Sequence, residues 1–221
     1  SPGGLAVLWA EQNTRESLFA AMRRREAYAT SGTRPTVRFF GGAAIPANLC
    51  ASPEFVRQGY ALGVPMGGDL PRASGAPRFA VSALRDPGGV GESSEPLQRI
   101  QIIKGWVEGG VKKEKIYEVA GDANNGAGVD LSTCETSGPG AGSLCAVWED
   151  PDYDPAEPAF WYARVLENPG CRWSHRQCLA AQVNCSAPDA VPAGFEDCCN
   201  TDYPKTIQER AWTSPIWHRP P

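Results

Sequence analysis

The sequence predicts a mixed α+β chain that is mainly β, the edge of an α/β domain joined to a disulfide-stapled β-sandwich. Three observations predict it. Among 221 residues, 24 are glycine and 20 proline, which demands many turns and long loops. Helical periodicity is clear only near the start, and later apolar runs are short and separated. Eight cysteines are present, crowded towards the C-terminal half.

The helix comes first. Asn13 or Thr14 can cap it, and Glu16 follows Asn13 by the three residues of a capping box. Leu18, Phe19, Ala21 and Met22 form an apolar stripe, and Arg23, Arg24 and Arg25 suit the negative end of the helix dipole near Glu26. Residues 28–30 read as a short strand closed by Ser31-Gly32, and residues 37–40 as another closed by Gly41-Gly42. The change of pattern places a boundary between residues 32 and 42. Further strands are expected at 78–84, 100–106, 115–120 and 159–166. Those at 100–106 and 159–166 carry apolar residues on both faces, as central strands do. A late helix is expected at 206–210 and a final strand at 212–217, with Trp212 and Trp217 at its ends.

Composition excludes several functions. The net charge of -4 argues against a nucleic-acid face. No apolar run approaches the ~20 residues that span a bilayer. Ser1-Pro2-Gly3-Gly4 has neither the basic start nor the apolar stretch of a signal peptide, so an exported parent would carry its signal upstream. The cysteines are Cys50, Cys134, Cys145, Cys171, Cys178, Cys185, Cys198 and Cys199, and no Cys-x-x-Cys occurs. That removes the usual zinc-ribbon and thioredoxin signatures and favours disulfides, hence a periplasmic or secreted protein. A Cys134–Cys145 bridge would tie the base of the loop between them, though the sequence leaves all pairings open.

Candidate sites are sparse. His175 and His218 are the only histidines; each reads better as a loop or terminal residue than as a ligand or base. Asp150, Asp152, Asp154 and Glu157 are spaced like Ca²⁺ ligands. However, Pro155 stands where an EF-hand needs glycine and Trp161 where it needs glutamate, so a solvated acidic turn is expected. The glycine-rich run 138–143 lacks the lysine of a phosphate cradle and reads as a flexible loop. No Gly-x-Ser-x-Gly elbow occurs. Asn184-Cys185-Ser186 matches a glycosylation sequon, but a bridged Cys185 is the simpler reading. The tryptophans are expected in core packing, Trp161 above all, with Trp212 and Trp217 covering a sheet edge.

One resemblance runs through nearly the whole chain. It rests on Trp9-Ala10-Glu11-Gln12-Asn13-Thr14, Ala27-Tyr28-Ala29-Thr30-Ser31-Gly32, Val37-Arg38-Phe39-Phe40-Gly41-Gly42, Gly63-Val64-Pro65-Met66-Gly67-Gly68, Arg99-Ile100-Gln101-Ile102-Ile103-Lys104-Gly105-Trp106, Phe160-Trp161-Tyr162-Ala163-Arg164 and Thr213-Ser214-Pro215-Ile216-Trp217. These motifs, in this order, resemble the C-terminal part of the DUF3604 family, which itself resembles PHP-type metallohydrolases. The resemblance implies a longer parent whose His-x-His and Asp-x-His metal motifs lie upstream. Neither motif occurs here, so no catalytic residue and no metal ligand is carried over.

Residues 1–40 would be the last helix and strands of an upstream PHP-like domain, and residues 41–221 a β-rich C-terminal domain. The implied function is the accessory portion of an exported metal-dependent hydrolase acting on an ester or phosphoester. Divalent ions would be held by the upstream segment, which would be this chain's partner, and no cofactor by this chain itself. The strand at 28–30 would then end near the catalytic mouth, where barrel enzymes place their chemistry. Tyr28, Thr30, Gly32 and Arg34, with Ser31, become candidates for orienting an anionic substrate group. The alternative is a non-catalytic β-sandwich module that binds a ligand or partner. Exposure of Leu18, Phe19 and Met22 on an end helix would call for packing on the sandwich, dimerisation or the upstream segment.

Overall fold

A computed structural model describes residues 3–71, 75–89 and 94–220. In chain order the elements are β1 (Ala6–Leu8), α1 (Arg15–Arg24), β2 (Ala27–Thr30), β3 (Thr36–Gly42), α2 (Phe55–Leu62), β4 (Val64–Pro65), β5 (Arg78–Leu84), β6 (Leu97–Glu108), β7 (Val111–Gly121), β8 (Gly128–Val129), β9 (Thr136–Ser137), β10 (Ser143–Glu149), β11 (Ala159–Cys171), α3 (Trp173–Ala180), β12 (Thr206–Thr213) and β13 (Ile216–His218). The fold is mainly β, with four disulfides.

Alternation of side chains builds two sheets that share one core. The larger runs β1-β2-β12-β11-β6-β7, with β13 also paired to β11, and the smaller β10-β5-β3-β4. All these pairings are antiparallel. On β11, Trp161, Ala163 and Val165 point inward, as do Ile100 and Ile102 on β6. They meet Val37 and Phe39 of β3 and Phe79 and Val81 of β5. The Phe79 and Trp161 rings lie 4.8 Å apart at the centre. Segments apolar on both faces, 100–106 and 159–166, are indeed central strands. Alternate residues Phe40 and Ala80 face away from that core and pack with Ile45 and Leu49. There α2 crosses the small sheet so closely that a Cβ on Gly59 would fall 2.5 Å from the Phe40 ring.

Helix α1 is capped by Thr14, whose Oγ1 accepts from the Ser17 amide at 3.3 Å, and not by Asn13. Arg25 ends it in the left-handed region at φ 59°. The helix packs on β1 and buries Ala21, while Phe19 and Met22 stand more than half exposed.

Three expectations are corrected. Residues 206–210 are not helical: they open β12, which is hydrogen-bonded on both sides, to β11 and to β2. Pairing with β11 along 206–210, continued by β2 at 211–213, outweighs a weak local helix preference. The strand expected at 212–217 is two strands, β12 ending at Thr213 and β13 beginning at Ile216, because Pro215 has no amide to continue the ladder. Cys134 and Cys145 are not bonded to each other. The pairs are Cys50–Cys145, Cys134–Cys171, Cys178–Cys198 and Cys185–Cys199. Leu144, Ala146 and Trp148 of β10 pack towards the main core, so strand alternation turns Cys145 to the opposite face, where the turn bearing Cys50 lies.

Candidate functional site

The turn from β2 to β3 lies where three other elements each present a carboxylate. The Ser31 amide donates to the Arg210 carbonyl at 2.9 Å, and the Arg210 amide donates to Ser31 Oγ at 2.9 Å, which ties the turn to β12. The Ser31 hydroxyl bonds the Glu209 carboxylate. A Cβ on Gly32 would stand 3.3 Å from that carboxylate, so the chain passes close over it. Thr33 Oγ1 donates to Glu167 Oε1 at 2.7 Å. The Arg34 amide donates to Asp86 Oδ2 at 2.8 Å, and Gly88 caps the other oxygen of Asp86 at 2.8 Å. The result is a cleft of about 550 Å³ walled by Leu5, Gly32, Thr33, Arg34, Asp86, Ser94 and Glu209.

Glu167 is the unusual member. It follows Val165 at inward parity on β11, where the pairing with β6 skips Gln98 between Leu166↔Arg99 and Glu167↔Leu97. It is 1% exposed, and its Oε2 is buried with no hydrogen-bond partner among the described residues. Burial pushes its carboxyl up to about 7, the charges of Glu209, Asp86 and Glu95 push the same way, and the Thr33 hydrogen bond opposes them. At neutral pH this side chain is poised to hold or release a proton. Its neighbours make the cleft rich in acceptor oxygen, with the exposed Arg34 side chain at its rim.

The four sequence candidates divide into two pairs. Gly32 and Arg34 wall the cleft. Tyr28 lies in the core, its hydroxyl donating to the Pro35 carbonyl at 2.9 Å and its pKa raised by burial. Thr30 is buried and its Oγ1 accepts from the Leu5 amide at 3.3 Å. These two hold the turn from below. Sequence reasoning missed Glu167, Glu209 and Asp86. One signal for Glu167 was present, a carboxylate at the inward parity of an otherwise apolar strand.

The other candidates resolve into structure. Asp150 does not lie in a solvated turn: it is buried, with Lys104 Nζ at 3.0 Å and Trp161 Nε1 donating at 3.1 Å. Lys104 also donates to the Asp152 carbonyl at 2.5 Å. The Asp152 carboxylate takes Lys115 and the Tyr117 hydroxyl, each at 2.5 Å, and those bonds hold its pKa down. Burial and the two aspartates push the Tyr117 hydroxyl far up. Basic and phenolic partners therefore take up Asp150 and Asp152, while Asp154 accepts from the Ala156 amide and, like Asp152, stays exposed in the turn. His175 is buried, on α3, with Nε2 2.7 Å from the Leu131 carbonyl. His218 Nε2 lies 3.0 Å from the Pro155 carbonyl.

Among the described residues, Cys134, Cys171 and His175 form the one group of three potential metal ligands within 4.8 Å of one another. The two sulfurs are bonded together and supply no thiolate. The run 138–143 is tied down by a reciprocal pair of 2.9 Å bonds between Ala141 and Leu97. Cys185 is bridged to Cys199. Trp161 is fully buried, whereas Trp212 and Trp217 lie partly exposed on the outer face of the large sheet. No described helix is long and apolar enough to cross a membrane, and with the four disulfides this is consistent with an extracellular or periplasmic protein.

No curated protein and no solved structure matches the chain. A family model described as "Protein of unknown function (DUF3604)" matches residues 1–220. With practically its whole length matched, the chain belongs to the DUF3604 family.

Proposed function

We propose that this chain is the C-terminal accessory portion of an exported, PHP-type metal-dependent hydrolase that acts on an ester or phosphoester. The metal-binding part lies upstream, the location is periplasmic or secreted, and the 31–34 cleft is where this chain meets the substrate. The observation that carries the reading is the placing of Thr33 and Arg34 in one cleft wall at the end of β2, with buried Glu167 hydrogen-bonded to Thr33 behind it; the resemblance puts that strand at the catalytic mouth. Divalent ions would supply activated water in the upstream part. The residues of this chain would orient the substrate: Arg34 through its guanidinium, Thr33 and Ser94 through their hydroxyls. Glu167, fixed by Thr33, holds a proton beside them near neutral pH.

The test uses the complete protein with nitrophenyl esters and phosphoesters, with and without a chelator. Metal-dependent turnover is expected, and Arg34→Ala should raise KM about tenfold or more while leaving kcat within a few fold. Absence of metal-dependent turnover on every substrate, or an unchanged KM in Arg34→Ala, would overturn the reading.

A second reading, a non-catalytic binding module, is favoured by the outer face of the large sheet. Phe160, Tyr162 and Arg164 of β11 project there, Trp212 lies opposite Arg164, and Trp217 lies opposite Phe160. Saturable ligand binding lost in Trp212→Ala, with no turnover, would select it.

A further inference from the structure

We propose that the side chains of Lys104 and Asp150 condense to an amide, Nζ to Cγ, with loss of one water, so that the folded sandwich carries a covalent staple of its own making. The bond is independent of the hydrolase reading and of the 31–34 cleft.

Burial is the first support. Lys104 follows Ile100 and Ile102 at inward parity on β6, and Asp150 comes directly after β10. Their side chains are 2% and 0% exposed. The Lys104 ammonium lies 5.3 Å from the centre of the Trp106 ring and 5.7 Å from that of Trp161. Two charges held in such surroundings have lost their hydration, and their mutual attraction offsets that loss only in part. An amide removes both charges and keeps the strands joined.

Geometry is the second support. Lys104 Nζ stands 3.0 Å from Asp150 Oδ2, and the carbon it attacks is bonded to that oxygen. Reacting groups fixed at this separation need no encounter step. The carboxyl is also polarised at both oxygens. Oδ1 accepts from the Asp152 amide at 2.9 Å and has the Tyr117 hydroxyl at 3.4 Å, while Oδ2 accepts from Trp161 Nε1 at 3.1 Å. Donors at Oδ1 suit the negative charge of a tetrahedral intermediate, as an oxyanion hole does.

The step balances without any further reagent. One ammonium proton passes to Oδ2, and the freed amine pair forms the Nζ–Cγ bond while Oδ1 takes the charge. The Cγ–Oδ2 bond then breaks, and Oδ2 leaves as water with a second proton from Nζ. The third proton stays as the amide N–H, for which the Asp152 carbonyl, 2.5 Å from Nζ, is the acceptor. Exclusion of water protects the product from hydrolysis. The location is also one where a staple adds something. Cys134–Cys171 and the two bridges of 172–205 lie at or beyond the far end of β11, whereas Lys104 faces Trp161 near its start.

The experiment takes the complete protein, folded and aged, then denatures, reduces and digests it with trypsin for mass spectrometry. A modified Lys104 resists cleavage, so peptide 100–112 is expected joined to peptide 116–164, lighter than their sum by one water. Lys104→Arg and, separately, Asp150→Ala should abolish the joined pair. The wild-type digest decides alone if either variant fails to fold. Free peptides 100–104 and 116–164 from the wild type, with no joined pair, would overturn the proposal. So would a joined pair that persists in either variant, or one that forms equally in protein kept denatured throughout.

Discussion

The sandwich and the segment that follows it, residues 172–205, are built on different principles. In the sandwich, Phe39, Phe79, Trp161, Ile100 and Ile102 are completely shielded from solvent, and strand pairing satisfies the backbone. In 172–205 the described buried residues are His175 and Cys198 alone, and α3 is its longest helix. What holds that segment is covalent: Cys178–Cys198 and Cys185–Cys199 inside it, and Cys134–Cys171 at its root. A chain too short locally to bury apolar surface substitutes restriction of its unfolded state. The two regions should therefore fail differently.

The largest expected effect is in the core. Trp161→Ala removes the ring at the centre of the sandwich and the donor to buried Asp150. It should cost about 3–5 kcal/mol, read as a fall in the denaturant midpoint. A loss below about 1 kcal/mol would mean that the sandwich is not held by this packing.

Next comes Glu167, an acid whose pKa is raised on folding from 4.5 to about 7. Between those values the folded chain keeps a proton that the unfolded chain has lost. With chelator present, stability should fall as pH rises through that window, by roughly 3 kcal/mol in total, and level off above it. Glu167→Gln should flatten the fall, as urea titrations from pH 4.5 to 8 would show. A wild-type curve without the fall would show that the carboxyl is not buried alone.

The disulfide effect is of similar size in principle but local. Closing the 20-residue span between Cys178 and Cys198 contributes about 3 kcal/mol in a chain-entropy account. The double substitution Cys178→Ser/Cys198→Ser should expose 172–205 to proteolysis while amide protection of β6 and β11 persists. Loss of protection in both regions at once would erase the distinction drawn above. Smallest is Thr14→Ala, expected to lower stability by about 1 kcal/mol through fraying of α1 in hydrogen exchange.

The same contrast explains what could be read from sequence. Alternation and two-faced apolarity located β5, β6, β7 and β11, and the central places of β6 and β11, because these strands carry their own instructions. Helix α1 was legible through its cap and stripe. Helices α2 and α3 were not, since neither has a side-chain cap and Gly59 interrupts α2. Residues 206–210 adopt a strand because β11 stands beside them, information that lies far away in the chain. Disulfides were expected from composition, but their pairing depends on which way Cys145 faces. Gly32 and Arg34 were reachable as turn residues. The carboxylates around them come from three distant segments, and no local pattern joins Asp86, Glu167 and Glu209.

One feature of the large sheet bears on how the protein is made. Strand β2, near the start, is bonded to β12, near the end, with Thr30 opposite Ala211. No intermediate of synthesis can complete that sheet. Until residues 206–218 are made, β2 and β11 each keep a bare edge that can pair with other chains. Contacts this distant in sequence form slowly. Residues 206–218 therefore act as a closing clasp, and a chain halted before them would be prone to aggregate however well its earlier strands had paired.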